Sequence, residues 1–353
     1  MIDYIEIEGY KSIKKAKVDL KPINILIGAN GAGKSNFISF FELINKLYNR
    51  NLQEYVSLRG GVAKMLHKGI EATEALSFHL EFDREQNGYA VTIQAGDESF
   101  VFTREQLIYQ GNNWDISGYG KEAKVKSSDL IWANQVRKYL DSLKRYHFHD
   151  TGRNSPFNKE SSAENDIHFL YEQGENLAAF LRNIREEHQL VYNRIVNTIQ
   201  SIAPFFSDFY LMPNEGGYIR LQWQDKYSST TYGVTDLSDG TIRFIALATL
   251  FLQPTLPDTI IIDEPELGLH PFAIAKLAGM IESAANRGCQ VIVATQSAEL
   301  VNHFKADDII TVDQREGETY FNRLREEDFS QWLEEYSIGD LWQREIIKGG
   351  QTQ

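Results

Sequence analysis

The chain has one cysteine, Cys289, in 353 residues. A single thiol excludes an internal disulfide and a cysteine-rich metal site, and a reducing cytoplasm is the compartment that fits. Positive charge is also in deficit. The formal net charge of -13 argues against a generally basic nucleic-acid coat, while leaving room for a local basic groove. No apolar run approaches the ~20 residues needed to cross a bilayer. Met1 to Ile7 alternates like a strand and has no basic segment running into an apolar one, so no signal peptide is expected. Internal repeats, low-complexity tracts and heptad arrays long enough for a coiled-coil arm are missing as well. Hydrophobic residues, at 42%, suffice for a sizeable core in one large domain or two.

What is present centres on Ile23 to Phe37. Ile23 to Ile27 is a nearly continuous apolar run of strand length, which suits a parallel strand buried on both faces. Gly28 to Ser35 follows as G-x-x-x-x-G-K-S without a mismatch. Gly28, Gly31 and Gly33 leave room for backbone N–H groups to close around a polyphosphate, with the next helix's N-terminus completing the anion site. Asn30, Gly31, Ala32, Gly33, Lys34, Ser35 and Asn36 are the predicted nucleotide contacts. Among them Lys34 reaches the outer phosphates and Ser35 ligates Mg²⁺. Phe37, Ile38, Phe41, Ile44 and Leu47 then recur at helical spacing, which predicts a helix over 34–47. A plain Gly-rich turn is the alternative, but both flanks match the context a phosphate loop requires.

Taken in order, residues 1–22 predict two antiparallel strands, Tyr4 to Glu8 and Lys15 to Leu20, around a turn at Gly9 to Ser12. Alternating runs at Leu76 to Phe82, Tyr89 to Gln94 and Ser99 to Thr103 predict an added antiparallel sheet. Asn112 to Lys126 is polar and weakly patterned, an expected exposed loop. Ser127 to Leu143 reads as a helix, and His147 and His149 fall on one face of an expected strand. These two with Asp150 suggest a metal site, but no further ligands occur at convincing spacing, so an aromatic-rich strand entering a polar loop is preferred. Glu164 to Ile202 has helical spacing, with Leu177, Phe180, Leu181 and Ile184, then Val191, Ile195, Ile199 and Ile202. Phe209 to Met212 and Tyr218 to Trp223 read as strands around a turn at Asn214 to Gly217.

A second half-site follows. Thr259 to Ile262 is an apolar strand that runs into Asp263-Glu264-Pro265. In open α/β folds ligands bind at the carboxyl ends of strands. Asp263 is placed to hold Mg²⁺, and Glu264 to orient or deprotonate an attacking water. Val291 to Thr295 is a third strand of buried type, and the Gln296 that follows it can hydrogen-bond phosphate or water. Leu237-Ser238-Asp239-Gly240-Thr241 precedes an apolar helix, Ile242 to Leu252. Helix capping explains that composition. The functional reading is that Ser238, Gly240 and the helix N-terminus bind phosphate, which then requires a second subunit.

These segments, with Glu266 to Pro271 and Ala294 to Ser297, occur in the order found in ABC-type ATPases. The chain resembles the SMC/RecF-like branch, including stand-alone AAA-type ATPases related to OLD-family ATPase domains. The opening Ile5-Glu6-Ile7-Glu8-Gly9-Tyr10-Lys11-Ser12 and the ending Ile338-Gly339-Asp340-Leu341-Trp342 are similar to that branch too. The resemblance implies an α/β head with a mostly parallel core sheet, an antiparallel β-subdomain and a helical insertion. It is one ABC-type domain over 1–353, with an ATP-binding lobe at 1–150, the insertion at 151–205 and a C-terminal lobe at 206–353. It also implies a head-to-tail homodimer, or higher oligomer, holding two ATP molecules between Gly28 to Ser35 of one copy and Ser238 to Thr241 of the other. Asp263 would be the magnesium aspartate, Glu264 the catalytic glutamate and Glu266 to His270 the loop that crosses to the partner. Gln296 stands at the switch position, usually His. A neutral amide aligns water but cannot become cationic. The glutamine loop is sought at His149 to Arg153.

The expected function is ATP hydrolysis to ADP and phosphate, with the dimer state governing bacterial or phage-directed defence or DNA repair. Ala298 to Gln353 is short for a nuclease domain, so a separate nuclease or toxin is the expected effector. DNA is a further expected partner, through Arg137, Lys138, Lys144, Arg145 and Arg153, although a solvated helix face also explains those charges. Two other functions compete. A transporter's ATPase subunit is disfavoured by the strands at Leu76 to Thr103, by Asp239 and by Gln296, whereas a non-catalytic scaffold is favoured by Gln296.

Overall fold

The computed structural model describes residues 1–96, 99–118 and 120–347. The strands are β1 (Ile2–Tyr10), β2 (Ile13–Asp19), β3 (Ile23–Ile27), β4 (Ala75–Phe82), β5 (Asn87–Ala95), β6 (Phe100–Tyr109), β7 (Asn112–Asp115), β8 (Leu143–Tyr146), β9 (Ser161–Ser162), β10 (Phe206–Tyr210), β11 (Tyr218–Ile219), β12 (Gln222–Asp225), β13 (Thr231–Gly233), β14 (Thr259–Asp263), β15 (Gln290–Thr295), β16 (Ile309–Arg315) and β17 (Glu318–Arg323). The helices are α1 (Lys34–Tyr48), α2 (Leu52–Leu58), α3 (Val62–Met65), α4 (Ile131–Ser142), α5 (Leu177–Glu187), α6 (Gln189–Ile202), α7 (Asp239–Leu252), α8 (Pro271–Asn286), α9 (Ala298–Val301), α10 (Glu326–Leu333) and α11 (Ile338–Gln343).

Packing divides the chain into two units that interleave in sequence. The first holds Met1–Arg145, Asp258–Ile261 and Cys289 onward, and the second holds Tyr146–Pro257 and Ile262–Gly288. The cause of the interleaving is long-range pairing: β15 and β16 both run parallel to β3, which ties the C-terminal stretch to the phosphate-loop strand.

In the first unit one sheet has the order β17-β16-β3-β15-β14-β8. β3 is interior, and Ile25, Leu26 and Ile27 are fully buried, as a nearly continuous apolar run requires. A second, antiparallel sheet has the order β2-β1-β4-β5-β6-β7. Helix α1 joins the two cores. Phe40 lies edge-on to Phe78 of β4 at 5.6 Å, and Phe37 packs against Phe321 of β17 at 5.1 Å.

The stretch expected as an exposed loop, 112–126, is more ordered than its polarity suggests. Asn112–Asp115 pairs with β6, and Ala123 and Val125 are buried. Tyr119 lies outside the described residues. The cause is Glu105, a buried carboxylate that accepts the Tyr89 hydroxyl at 2.8 Å and the Lys124 and Val125 amides at 2.9 Å each. Burial pushes its carboxyl above the usual range. Those bonds satisfy the group where an unpaired one would cost several kcal/mol.

The β4–β5 turn carries Asp83, Arg84 and Glu85 at φ of 56, 58 and 59°. Left-handed geometry costs an L-residue about 1–2 kcal/mol, and glycine's entropic cost offsets part of any relief. Arg84→Gly is expected to stabilise the fold by about 0.5–1 kcal/mol, read as a rise in urea midpoint. A lower midpoint would contradict the strain.

The second unit packs α5 on α6, α6 on α7 and α7 on α8. Helix begins at Leu177, not near Glu164, because fully buried Asn176 ties the preceding chain into turns. Its amide donates to Asp166 O and Phe169 O, both at 2.8 Å, and its oxygen accepts Tyr171 N at 2.8 Å. The expected hairpin across Asn214 to Gly217 divides between two partners, since β10 pairs with β12 while β11 pairs with β9. No helix among the described residues is long and apolar enough to cross a membrane.

Candidate functional site

In the first unit the register of β3 against β15 pairs Ile27 with Thr295, so Gly28 and Gln296 leave the sheet at the same edge. Gln296 is exposed there. Lys34, only 5% exposed, turns its ammonium onto the loop's own carbonyls, at 2.5 Å from Gly28 O and 3.0 Å from Ala29 O. Ser35 is exposed beside it. Gly33 precedes α1 at φ 113° and no side chain caps the helix, so the first-turn amides are left to the loop's concavity, an arrangement suited to an anion. The Asn36 side-chain amide donates to Ser12 Oγ at 2.7 Å.

The neighbouring surface of α1 holds a basic group in which Arg145, expected on a basic face, is joined by Lys11 and Arg59. Arg59 and Arg145 both contact Glu42, and Lys11 Nζ donates to Ser39 Oγ at 3.0 Å. Burial, with Arg59 and Arg145 nearby, pulls the Lys11 ammonium below its ordinary range. Contacts across 17 to 103 residues assemble this cluster, which local spacing does not encode. Arg137 is likewise engaged internally, donating to Val125 O at 3.1 Å and Ser128 O at 2.8 Å. Arg137 and Arg145 are thus committed within the fold rather than held out as a basic face, while Lys138 is exposed.

In the second unit Asp263 ends β14, and Glu264 follows at φ 42°, a backbone conformation that costs a non-glycine residue about 1–3 kcal/mol. The strand expected to carry His147 and His149 stops at Tyr146, yet their rings lie 4.5 Å apart. His149 Nε2 sits 2.8 Å from the Asp263 carbonyl, so the ring donates there. Ser238 is the exposed N-cap of α7, its hydroxyl accepting the Thr241 amide at 3.2 Å. Capping is therefore present whatever else this serine binds.

Arg243, one turn further along α7, is buried and donates to Phe148 O at 3.1 Å, His149 O at 3.2 Å and Leu267 O. Burial pulls its guanidinium below the ordinary range. It joins the Ser238 helix to the segment after Glu264 and to the His149 segment. Gly240 makes the same junction tight, because a Cβ there would lie 2.4 Å from Gly268 O. Gly240→Ala should destabilise the protein by about 1–3 kcal/mol through overpacking, measured by urea unfolding. An unchanged midpoint would show that this contact yields freely.

Among the described residues no group of three His, Cys, Asp or Glu side chains is arranged to hold a metal ion. Mg²⁺ needs no such cage, since one carboxylate, substrate phosphates and water commonly suffice. The Ser35 hydroxyl in the first unit and the Asp263 carboxylate in the second are each hard oxygen donors of the kind that ion takes.

Comparison with known proteins agrees with this geometry. The family described as "AAA domain, putative AbiEii toxin, Type IV TA system" matches residues 23–302. OLD nuclease of Thermus scotoductus is 22% identical over 94% of this chain and 65% of its own length. The DNA replication and repair protein RecF of Phocaeicola vulgatus is 21% identical over 58% of this chain and 55% of its own. The chain thus spans less than two thirds of either relative. An Smc head solved with the C-terminal winged-helix domain of ScpA shares the fold, with a TM-score of 0.63 at 18% identity over 94% of this chain and 99% of that one. The chain belongs to that AAA-domain family and is a P-loop ATPase-type protein of the SMC/RecF/OLD kind.

Proposed function

We propose that the protein binds ATP with Mg²⁺ on Gly28 to Asn36 and hydrolyses it, in a head-to-tail pair of copies whose formation and release regulate an effector. The observation that carries this reading is the loop itself, with the Lys34 ammonium turned inward and Ser35 exposed at an uncapped helix start. Lys34 neutralises the outer phosphates. Ser35 and Asp263 supply oxygen ligands for Mg²⁺, which when bound offsets phosphate charge. Glu264 accepts the proton of the attacking water, and Gln296 holds that water through its amide. Ser238 and Gly240 of a second copy cap the nucleotide with the N-terminus of α7.

The relatives named OLD nuclease and RecF support a role in nucleic-acid metabolism or defence, with a nuclease or toxin as the effector and DNA as a further partner. A reading as a non-catalytic nucleotide-dependent scaffold draws on Gln296, whose amide stays neutral where an imidazole could become cationic. The test is phosphate release from ATP by the purified chain, with Mg²⁺ and with excess EDTA. Release that requires Mg²⁺ supports the enzyme. Background release under both conditions overturns it.

A further inference from the structure

The hairpin of β16 and β17 holds a residue that no motif marks. Thr319, 2% exposed, stands behind the phosphate loop. Its hydroxyl lies 3.0 Å from Ala32 O and 2.7 Å from Ser12 Oγ, and Asn36 Nδ2 donates to the same Ser12 Oγ at 2.7 Å. A carbonyl cannot donate, so Thr319 gives its one proton to Ala32 and Ser12 gives its own to Thr319. The result is a directional chain of hydrogen bonds that starts on α1 at Asn36, passes through the β1–β2 turn and β17, and ends on the loop carbonyl immediately before Gly33.

Three further contacts fix the hairpin in place. Thr319 N donates to Ser12 O at 2.8 Å. At the hairpin's tip Glu318 pairs with Lys14 at 3.1 Å and Lys68 at 3.7 Å, and Lys14 holds the Glu318 carboxyl below its usual range. The fit against the loop is close. A Cβ on Gly33 would lie 2.2 Å from Thr319 Oγ1, so the invasion of this space by Thr319 and the absence of a side chain at Gly33 belong together.

We infer that Thr319, acting through Ala32 and Ser12, is a positioning residue for nucleotide: by holding the Ala32 carbonyl to the rear it fixes the peptide whose N–H belongs to Gly33, and so turns that amide toward the phosphate side. In this arrangement Asn36 serves the nucleotide indirectly, through Ser12. The inference rests on ATP binding by the loop as proposed above, but its structural half stands apart from that reading.

The test compares Thr319→Val, which keeps the shape and removes the hydroxyl, with Thr319→Ser, which keeps the hydroxyl. Amide hydrogen exchange over Gly31 to Ser35 is read without nucleotide, and the KM for ATP is read beside kcat. The valine variant should exchange about tenfold faster at the loop and raise KM about tenfold while kcat moves little, as loss of one buried hydrogen bond predicts. The serine variant should restore both. Adding Ser12→Ala to Thr319→Val should cost little more than the larger single effect, since both break one chain. Unaltered loop exchange in the valine variant, or a serine variant as impaired as valine, overturns the inference. Altered exchange in a protein whose wild type binds no ATP would refute the proposed function and leave the positioning role intact.

Discussion

Glu264→Gln is expected to lower phosphate release by about 100- to 10,000-fold, the range that a general base contributes, while ATP remains bound. Glutamine keeps the length of the side chain and its capacity for hydrogen bonding, but an amide does not take up the proton of the attacking water. The backbone at this position sits at φ 42° in the native chain. Neither side chain relieves that geometry, so the substitution should leave the unfolding midpoint close to native and separate chemistry from folding. Single-turnover phosphate release with enzyme in excess, beside equilibrium ATP binding, reads the two steps apart. Equal slow release from both proteins would support the scaffold reading, in which Gln296 marks a site that binds without turning over.

Lys34→Ala is expected to weaken ATP binding by about 30- to 150-fold, corresponding to loss of a charge-assisted interaction of roughly 2–3 kcal/mol. The ammonium is almost wholly buried and its contacts are to Gly28 O and Ala29 O. Those carbonyls, being negative ends of peptide dipoles, would face a polyphosphate unscreened once the charge is gone. Lys34→Arg should fail to rescue, because a planar guanidinium does not fit a pocket shaped for a compact ammonium. Isothermal titration with ATP decides the matter. Native affinity in the alanine variant would exclude this loop as the phosphate site.

The parts of the fold that were legible from sequence are those whose signal is local. Ile23–Ile27 and Gln290–Thr295 are apolar runs of strand length, and α7 is buried along nearly its whole course from Ile242 to Leu252, so each is marked by its own composition. The phosphate loop is marked by spacing alone. What escaped notice depends on partners far along the chain or on side chains that act as backbone surrogates. Nothing local in 112–126 reveals that Glu105 gathers two of its amides, and nothing near Glu164 reveals that Asn176 suppresses helix there. The interleaving of the units follows from parallel pairing of β3 with strands more than 250 residues later, as the Ile27–Thr295 pair shows. Thr319 was invisible for the same reason, its partners Ser12 and Ala32 lying 307 and 287 residues away.

Arg243 illustrates a middle case. Its place just after Ser238-Asp239-Gly240-Thr241 is plain in the sequence, but its three carbonyl acceptors come from two other segments. A buried guanidinium without a carboxylate in contact is costly unless its donors are met, and here backbone oxygens meet them. The segment carrying Ser238 and the segment following Glu264 are thereby held to one geometry within the second unit. Such a junction suits two motifs that, in the proposed head-to-tail pair, face another copy of the chain together.

The measurement that bears most directly on that pairing is the solution mass of Glu264→Gln, taken by light scattering with saturating ATP and Mg²⁺ and again without nucleotide. ATP is expected to shift the protein from one chain to two and to hold it there, since the bound triphosphate bridges the copies and is not consumed. A protein that demonstrably binds ATP yet keeps the same mass in both conditions would contradict a nucleotide held between two copies.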